Sequence, residues 1–461
     1  MVAIVWFRND LRLTDHLALD AALKTGNPIL PIFIYDSIHS RSFGEASKWW
    51  LHHSLSSLKR TLNLLKADLI FQQGNAFEIL KNIAEQIPLS HIFWNRRYDA
   101  EGMQQDIQVK SYFKETNIIC HSFNGSLLFE PHTIKNKEGK PFKVFSAFWK
   151  HCLSQHSVQE PIPAPTHLSF DKKFNEISHT LDSLELLPKL GWIKGLEESW
   201  SPGEENAQKN FDFFLKNSLK NYKKNRDYPT LKTSRLSPYI RRGEISVRQL
   251  WRAIHQHAIF SKEVDSECFL SELGWREFSY HTLFHHPDLE EIPLKKDFEA
   301  FPWEKNPNHF DAWTKGLTGY PIVDAGMREL WRTGYMHNRV RMITASFLVK
   351  HLLQPWQNGE KWFWDTLVDA DVASNPFNWQ WVAGCGADAA PYFRIFNPIL
   401  QGEKFDPQGE YIRSWVPELR DVPDDFIHTP WLYENRPSDY PEPLVHHSKA
   451  REKALKAFKA M

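Results

Sequence analysis

The sequence predicts an α/β domain built on a doubly wound parallel sheet, joined by a long linker to an all-α domain. Short apolar runs alternate with helical patterns over residues 1–130. Residues 131–202 have a looser, proline-containing pattern, and residues 203–461 follow helical periodicity almost throughout. A chain of 461 residues is long enough for two domains. We therefore expect an α/β domain at 1–130, a linker at 131–202 and a helical domain at 203–461.

Four buried strands are predicted in the first domain. They are the runs AIVWF from Ala3, ILPIFIY from Ile29, DLIFQQ from Asp68 and HIFWN from His91. Continuous apolar runs of this length are typical of parallel strands that are covered on both faces. Helical patterns fill the intervals, at residues 16–23, 48–65, 77–87 and 101–114. This alternation predicts a Rossmann-like sheet whose ligands bind beyond the carboxyl ends of the strands.

The segment after the first strand argues against an ordinary dinucleotide site in this domain. Such sites need a Gly-rich turn there, but this chain has Arg8, Asn9, Asp10 and Arg12 instead. A second polar segment, NRRYDAEG at residues 95–102, follows the fourth strand. It is either a surface turn or part of a ligand site.

Composition excludes several classes of protein. The formal net charge is zero, so any nucleic-acid contact must come from a local basic patch. The four cysteines show neither metal-ligand spacing nor a disulfide pattern, and the paired histidines lack companion ligands. The sequence has no signal peptide and no apolar run of membrane length. We expect a cytoplasmic protein with no bound metal and no membrane contact.

Two segments of the second half carry recognisable chemistry. TSRLSPYIRRGEIS, from Thr233, places hydroxyls at a helix start, where they either cap the helix or bind phosphate. SELGWREF, from Ser271, places Glu272, Trp275 and Arg276 within about one helical turn. A carboxylate, an indole and a guanidinium suit a stacked base beside a phosphate. The alternative is an amphipathic helix with a surface ion pair.

Residues 313–397 mix Trp, Asn, Arg and Asp unusually densely. In MHNRVRM, from Met336, helical spacing places Asn338, Arg341 and Met342 on one face. In DADVASN, Asp369 and Asp371 either neutralise a helix N-terminus or contact a ligand. The alternative for the whole stretch is a helical core with satisfied polar edges.

Together with RNDLR near the N-terminus, these motifs resemble the DNA photolyase/cryptochrome family over nearly the whole chain, and class I cyclobutane pyrimidine dimer photolyases most closely. The resemblance implies light-driven repair of pyrimidine dimers in damaged DNA, with the electron supplied by excited, reduced FAD. It also implies a monomer whose N-terminal domain carries an antenna pigment. The pigment is 5,10-methenyltetrahydrofolate or, alternatively, a deazaflavin, and the possibility of no pigment stays open.

The resemblance assigns three sets of residues, some of which overlap. The FAD-binding set is Tyr222, Thr233, Ser234, Arg235, Leu236, Ser237, Glu272, Arg276, Asn338, Arg341, Asp369, Asp371 and Asn375. The catalytic set is Glu272, Asn338 and Met342, with Trp303, Trp356 and Trp379 as an electron relay. The DNA-binding set is Arg226, Trp275, Arg276, Arg339, Trp381 and Arg394. The resemblance further implies that Arg341 pairs with Asp369 over the flavin and that Asn375 faces its reactive ring nitrogen.

Two other functions occur in the same family. A cryptochrome-like blue-light receptor usually carries a C-terminal extension, and this sequence shows no long tail; Asn375 also differs from the Asp that is typical of plant cryptochromes. Repair of 6-4 photoproducts normally needs active-site histidines, whereas Asn338 is of the dimer-repair type.

Overall fold

The computed structural model describes residues 1–36, 41–188, 191–260, 265–389 and 393–461. Within these residues, one parallel sheet has the order β3-β2-β1-β4-β5. Its strands are β1 Val2–Phe7, β2 Ile29–Tyr35, β3 Ile70–Gln73, β4 Leu89–Asn95 and β5 Ile119–Phe123. The connecting helices are α1 Leu17–Leu23, α2 Glu45–Leu64, α3 Ala76–Gln86 and α4 Ala100–Lys114. The prediction of a doubly wound parallel sheet is confirmed.

The four predicted strands begin within two residues of the observed ones, because each is a buried apolar run. β5 was not predicted, and its residues are exposed or half-buried. An edge strand that is covered on one side only lacks the continuous apolar run that marks its neighbours.

Helices provide most of the regular structure in the rest of the described chain, as predicted for residues 203–461. The α-helices are α5 Phe145–Gln155, α6 Ile193–Ser199, α7 Glu204–Asn217, α8 Tyr222–Asn225, α9 Ser237–Arg242, α10 Val247–Phe260, α11 Ser266–His285, α12 Pro307–Thr314, α13 Pro321–Thr333, α14 Asn338–Lys350, α15 Trp356–Thr366, α16 Ser374–Ala383, α17 Pro398–Phe405, α18 Glu410–Trp415 and α19 His447–Lys459. The predicted linker thus also contains two helices, α5 and α6. None of the helices in the described part of the chain has the length and apolar character that a membrane span needs.

The pattern of GKPFKVFSAFWK predicts a helix over residues 139–150, but the observed helix α5 begins only at Phe145, so the first half of that prediction is wrong. The side-chain oxygen of Asn136 accepts from the backbone N–H groups of Glu138 and Lys140, and Gly139 has a φ of 76°. These contacts close a turn that a helix cannot contain.

Buried polar contacts fix the sheet against the helical half. Asp15, which follows β1, accepts from the Arg248 guanidinium at 2.9 and 3.0 Å. Glu244 accepts from the Trp50 indole N–H at 3.0 Å and from the backbone N–H of Gly203 at 2.6 Å. These contacts hold the carboxyl edge of the sheet against α9 and its neighbours, where both cavities described below lie.

Candidate functional site

A large cavity lies inside the helical half of the described chain and is called the helical cavity here. Its volume is about 490 Å³, within the range of roughly 300–1,000 Å³ that small-molecule sites show. The structure brings most of the predicted site residues to its wall: Tyr222, Arg226, Thr233, Ser234, Arg235, Leu236, Ser237, Glu272, Trp275, Arg276, Asn338, Arg341, Met342, Asp369, Asp371, Asn375, Trp379 and Trp381. Four predicted residues, Arg339, Arg394, Trp303 and Trp356, do not line it.

The hydroxyl-rich segment before α9 does not cap that helix with a side chain. Leu236 occupies the N-cap position, and the Ser237 hydroxyl instead donates to Asp369 Oδ2 at 2.6 Å. Arg235 has a left-handed φ of 48°, and its guanidinium lies 4.0 Å over the Trp200 ring. Simple capping is therefore wrong for this segment, and its hydroxyls and backbone border the cavity.

Arg341 and Asp369 form the ion pair that the resemblance implied, with Nη2 donating to Oδ2 at 2.9 Å. Burial lowers the pKa of Arg341, but the Asp369 carboxylate more than offsets this effect, so the pKa lies above its ordinary value. The other carboxylate oxygen, Asp369 Oδ1, is buried without a hydrogen-bond partner among the described residues. An unpaired buried acceptor is costly, so this oxygen fits a ligand that brings a donor into the cavity.

Asp371 lines the helical cavity and also makes hydrogen bonds within the protein. It accepts from the Tyr280 hydroxyl at 2.7 Å and from the backbone N–H groups of Ala373 and Ser374, at the start of α16. Burial raises the pKa of Asp371, but the positive charges of Arg241 and Arg276 more than offset it. Asp371 is thus an ionised helix-start carboxylate on the cavity wall.

Asn375 presents one defined end of its amide to the cavity. Its Nδ2 donates to Glu360 Oε1 at 2.8 Å and to the Glu360 backbone oxygen at 3.0 Å. No described donor contacts its carbonyl oxygen, which is therefore left for a ligand that carries an N–H group.

Glu360 is a residue of this site that the sequence did not predict. Its position four residues after Trp356 and three before Phe363, on an otherwise apolar stripe of α15, was the available signal.

Glu272, Trp275 and Asn338 lie toward the open side of the helical cavity. Glu272 forms an ion pair with Arg226. Burial raises the pKa of Glu272 above its ordinary value even though Arg226 opposes this effect. Trp275 stacks on Phe145 with ring centres 3.8 Å apart, and Asn338 is exposed. This side of the cavity is open to a large ligand.

The remaining predicted DNA-binding arginines differ in position. Arg339 donates to Asp227 at 2.7 Å and lies 4.5 Å over the Phe405 ring. Arg276 donates to the Ser126 backbone oxygen at 2.8 Å, and its side chain is only 14% exposed, so it lies inside the molecule. Arg394 is exposed, and its backbone oxygen accepts from Lys350.

The three tryptophans predicted to form an electron relay differ in their relation to the helical cavity: two of them are buried and one is half-buried. Trp379 lines it and packs so closely on α15 that a Cβ at Gly359 would lie 2.1 Å from the indole. Trp356 is 1% exposed, and Trp303 is half-buried with its ring centre 4.3 Å from that of Phe301.

A second cavity of about 240 Å³ lies between the carboxyl edge of the sheet and the helical half, and is called the sheet-edge cavity. Aromatic, acidic and basic side chains share its wall, among them Trp6, Arg41, Glu101, Glu290 and Trp364. Three residues of the 95–102 segment besides Glu101 also line it, namely Arg97, Asp99 and Ala100. The segment that sequence reasoning left open as turn or ligand site thus borders a cavity.

Comparison with known proteins agrees with this geometry. Residues 3–166 match the family model described as DNA photolyase, and residues 269–460 match that of the FAD binding domain of DNA photolyase. The chain is 46% identical to the deoxyribodipyrimidine photo-lyase of Agrobacterium fabrum, over 99% of this chain and 98% of that one. It is 37% identical to cryptochrome-1 of Arabidopsis thaliana, over 100% of this chain and 70% of that one. The crystal structure of a class III photolyase from Agrobacterium tumefaciens superposes with a TM-score of 0.95 at 45% identity, covering 99% of this chain and 97% of that one.

Proposed function

The chain belongs to the DNA photolyase/cryptochrome family, and from this premise we propose that it is a light-dependent DNA repair enzyme that splits cyclobutane pyrimidine dimers. One observation carries the proposal: Glu272, Trp275, Asn338, Met342 and Trp381, which match the repair pattern, line one cavity. A pure receptor has no need to keep all five together. The likeness to a class III photolyase structure supports class III as an alternative to the class I that the motifs predicted.

We propose that the helical cavity holds FAD. When bound in its reduced form and excited by light, FAD supplies the electron that makes dimer splitting easy. Asp369 Oδ1 and the Asn375 carbonyl oxygen would accept hydrogen bonds from the N–H groups of the flavin, and the 233–237 segment would hold its phosphates. Arg341, held by Asp369, would provide a fixed positive charge for the cofactor and would favour its anionic form.

DNA binding is proposed to rearrange two ion pairs. Arg226 is bound to Glu272, and Arg339 is bound to Asp227. A DNA phosphate that takes Arg226 would release the Glu272 carboxyl group to bond the edge of a flipped dimer. Arg339 would exchange its carboxylate for phosphate in the same way, while Arg276 stays inside the molecule.

The sheet-edge cavity is proposed as the antenna site, within an N-terminal domain of about residues 1–130. Its indoles at Trp6 and Trp364 suit a planar ring, and the carboxylates of Glu101 and Glu290 suit ring N–H donors. Both 5,10-methenyltetrahydrofolate and a deazaflavin meet these requirements. The absorbance spectrum of the purified protein distinguishes them, because each pigment adds its own band to those of flavin.

A blue-light receptor is the second candidate, since the chain is also 37% identical to a plant cryptochrome. Binding in the dark separates the two functions. The repair enzyme should bind dimer-containing DNA much more tightly than undamaged DNA. The logarithm of its affinity should fall with the logarithm of salt concentration by about 0.9 per phosphate contacted. Equal affinity for both DNAs would contradict the repair proposal and favour the receptor.

A further inference from the structure

A continuous bridge of three side chains joins the two cavities. Arg41, on the wall of the sheet-edge cavity, donates from Nη1 to Glu360 Oε1 at 2.9 Å and from Nη2 to Oε2 at 2.8 Å. Glu360 in turn accepts from Nδ2 of Asn375, on the wall of the helical cavity, at 2.8 Å. Glu360 itself lines neither cavity, and its side chain is 1% exposed.

The bridge fixes which end of the Asn375 amide faces the helical cavity. Both N–H groups of Asn375 are bound to Glu360, so its carbonyl oxygen is presented. An acceptor at this point suits the ring N–H of reduced flavin and repels the bare ring nitrogen of oxidised flavin. Reduced FAD should therefore be favoured as long as Glu360 keeps both of the amide hydrogens.

Arg41 keeps Glu360 in that position. A buried carboxylate is stable only with a cation and well-placed hydrogen bonds, and Arg41 supplies both through its two-pronged contact. Arg41 also binds Glu290 at 2.5 Å and lies 3.9 Å over the Trp364 ring. Glu290 and Trp364 both line the sheet-edge cavity, so a ligand there meets Arg41 and its partners directly.

We propose that Arg41 is a positioning residue that couples the two cavities. Binding of a planar, N–H-bearing ring in the sheet-edge cavity changes the relative stability of oxidised and reduced FAD in the helical cavity. The oxidation state of FAD changes the affinity for that ring in turn, through Arg41, Glu360 and Asn375. The proposal rests on the proposed function for the occupants of the two cavities. It goes beyond light harvesting, because it links ligand affinity to flavin chemistry in the dark.

Coupling of this kind is reciprocal, which makes it measurable as an affinity. In the FAD-containing protein, titration with 5,10-methenyltetrahydrofolate is followed by its fluorescence, once with oxidised FAD and once after chemical reduction. We expect the two dissociation constants to differ by about fivefold or more. A ratio of one in the parent protein would overturn the proposal, and so would a failure of the probe to bind in either state.

Three variants test the path. Arg41→Lys keeps the charge but cannot make the two-pronged contact, and Glu360→Gln keeps the size but removes the charge. Both should bring the ratio of dissociation constants close to one. Arg328→Lys is the matched control, because the Arg328 guanidinium binds Glu418 at 2.8 Å and lines neither cavity; this variant should keep the parent ratio. If Arg41→Lys and Glu360→Gln keep the ratio of dissociation constants of the parent protein, the proposed coupling through Arg41 and Glu360 is wrong.

A second measurement needs no pigment. In the protein without pigment, reduced FAD should reoxidise in air several-fold faster in Arg41→Lys and Glu360→Gln than in the parent protein and in the control Arg328→Lys. Unchanged reoxidation in both bridge variants would overturn the positioning role of Arg41. A merely structural role would lower the melting temperature without changing either readout. Neither the titration nor the reoxidation experiment uses DNA, so a failure of the coupling can be distinguished from a failure of dimer repair.

Discussion

Replacing Asp369 by Asn tests whether the Arg341–Asp369 pair both stabilises the helical half and prepares the cavity for its cofactor. The carboxylate is 3% exposed and Arg341 is 23% exposed, so the pair is largely shielded from water. Breaking a buried pair costs about 3–5 kcal/mol. Arg341 keeps its bond to the Met336 backbone oxygen at 2.7 Å, and Asn still offers an acceptor. We therefore expect a loss of about 2–3 kcal/mol in the free energy of unfolding.

Urea unfolding of the FAD-free protein measures that loss, with Ser237→Ala as a graded control. Ser237 gives the same carboxylate one hydrogen bond, at 2.6 Å, and its removal should cost about 1 kcal/mol. FAD affinity should also fall in Asp369→Asn, because the unpartnered oxygen is lost. An Asp369→Asn protein as stable as Ser237→Ala would refute the argument for a strong pair, and unchanged FAD affinity would refute the cofactor contact.

Three further predictions follow from the surroundings of the cavity. Trp303→Phe should fold and bind FAD, but oxidised FAD in this variant should hardly be photoreduced with an external donor. Repair with chemically reduced FAD should stay near the parent rate. Normal photoreduction in the variant would show that electrons reach FAD by another route. Gly359→Ala should lower the free energy of unfolding by about 1–3 kcal/mol and weaken FAD binding, because the added Cβ would displace Trp379. The control Gly191→Ala, whose Cβ would meet nothing within 4 Å, should change neither quantity. Burial lowers the pKa of His337 from 6.5 to about 4. The stability that the neutral imidazole contributes is therefore complete above pH 6.5 and is lost as the pH falls to about 4, so the free energy of unfolding should drop by about 3 kcal/mol over that range. His337→Asn, which can still cap α14, should show a smaller loss of stability in acid when unfolded with urea.

Local pattern determined most of the fold. Buried runs such as the one from Ile29 are strong signals, because burial on both faces leaves little room for polar residues. The half-exposed β5 gave no such signal, and the turn around Gly139 depends on a side-chain contact of Asn136 that periodicity does not show.

The site was predictable only where resemblance supplied contacts between distant residues. Spacing alone cannot pair Arg341 with Asp369, which are 28 positions apart, and it suggested a simple cap where Ser237 binds Asp369. Glu360 was missed because its partner Arg41 is 319 positions away, in the other half of the chain. The Arg41–Glu360 contact forms only when the two halves of the chain dock, and local sequence does not encode that docking.

The most direct test of the central proposal is the fate of a cyclobutane thymine dimer in a short oligonucleotide, mixed with the protein in which FAD has been chemically reduced. Under blue light the dimer should be converted to two thymines in repeated turnovers, and no conversion should occur in the dark. Glu272→Ala should keep FAD bound but repair with a clearly lower quantum yield, since losing a hydrogen bond to a charged group costs about 1.5–3 kcal/mol. A dimer that stays intact under illumination, with reduced FAD bound and DNA in excess, would contradict the account.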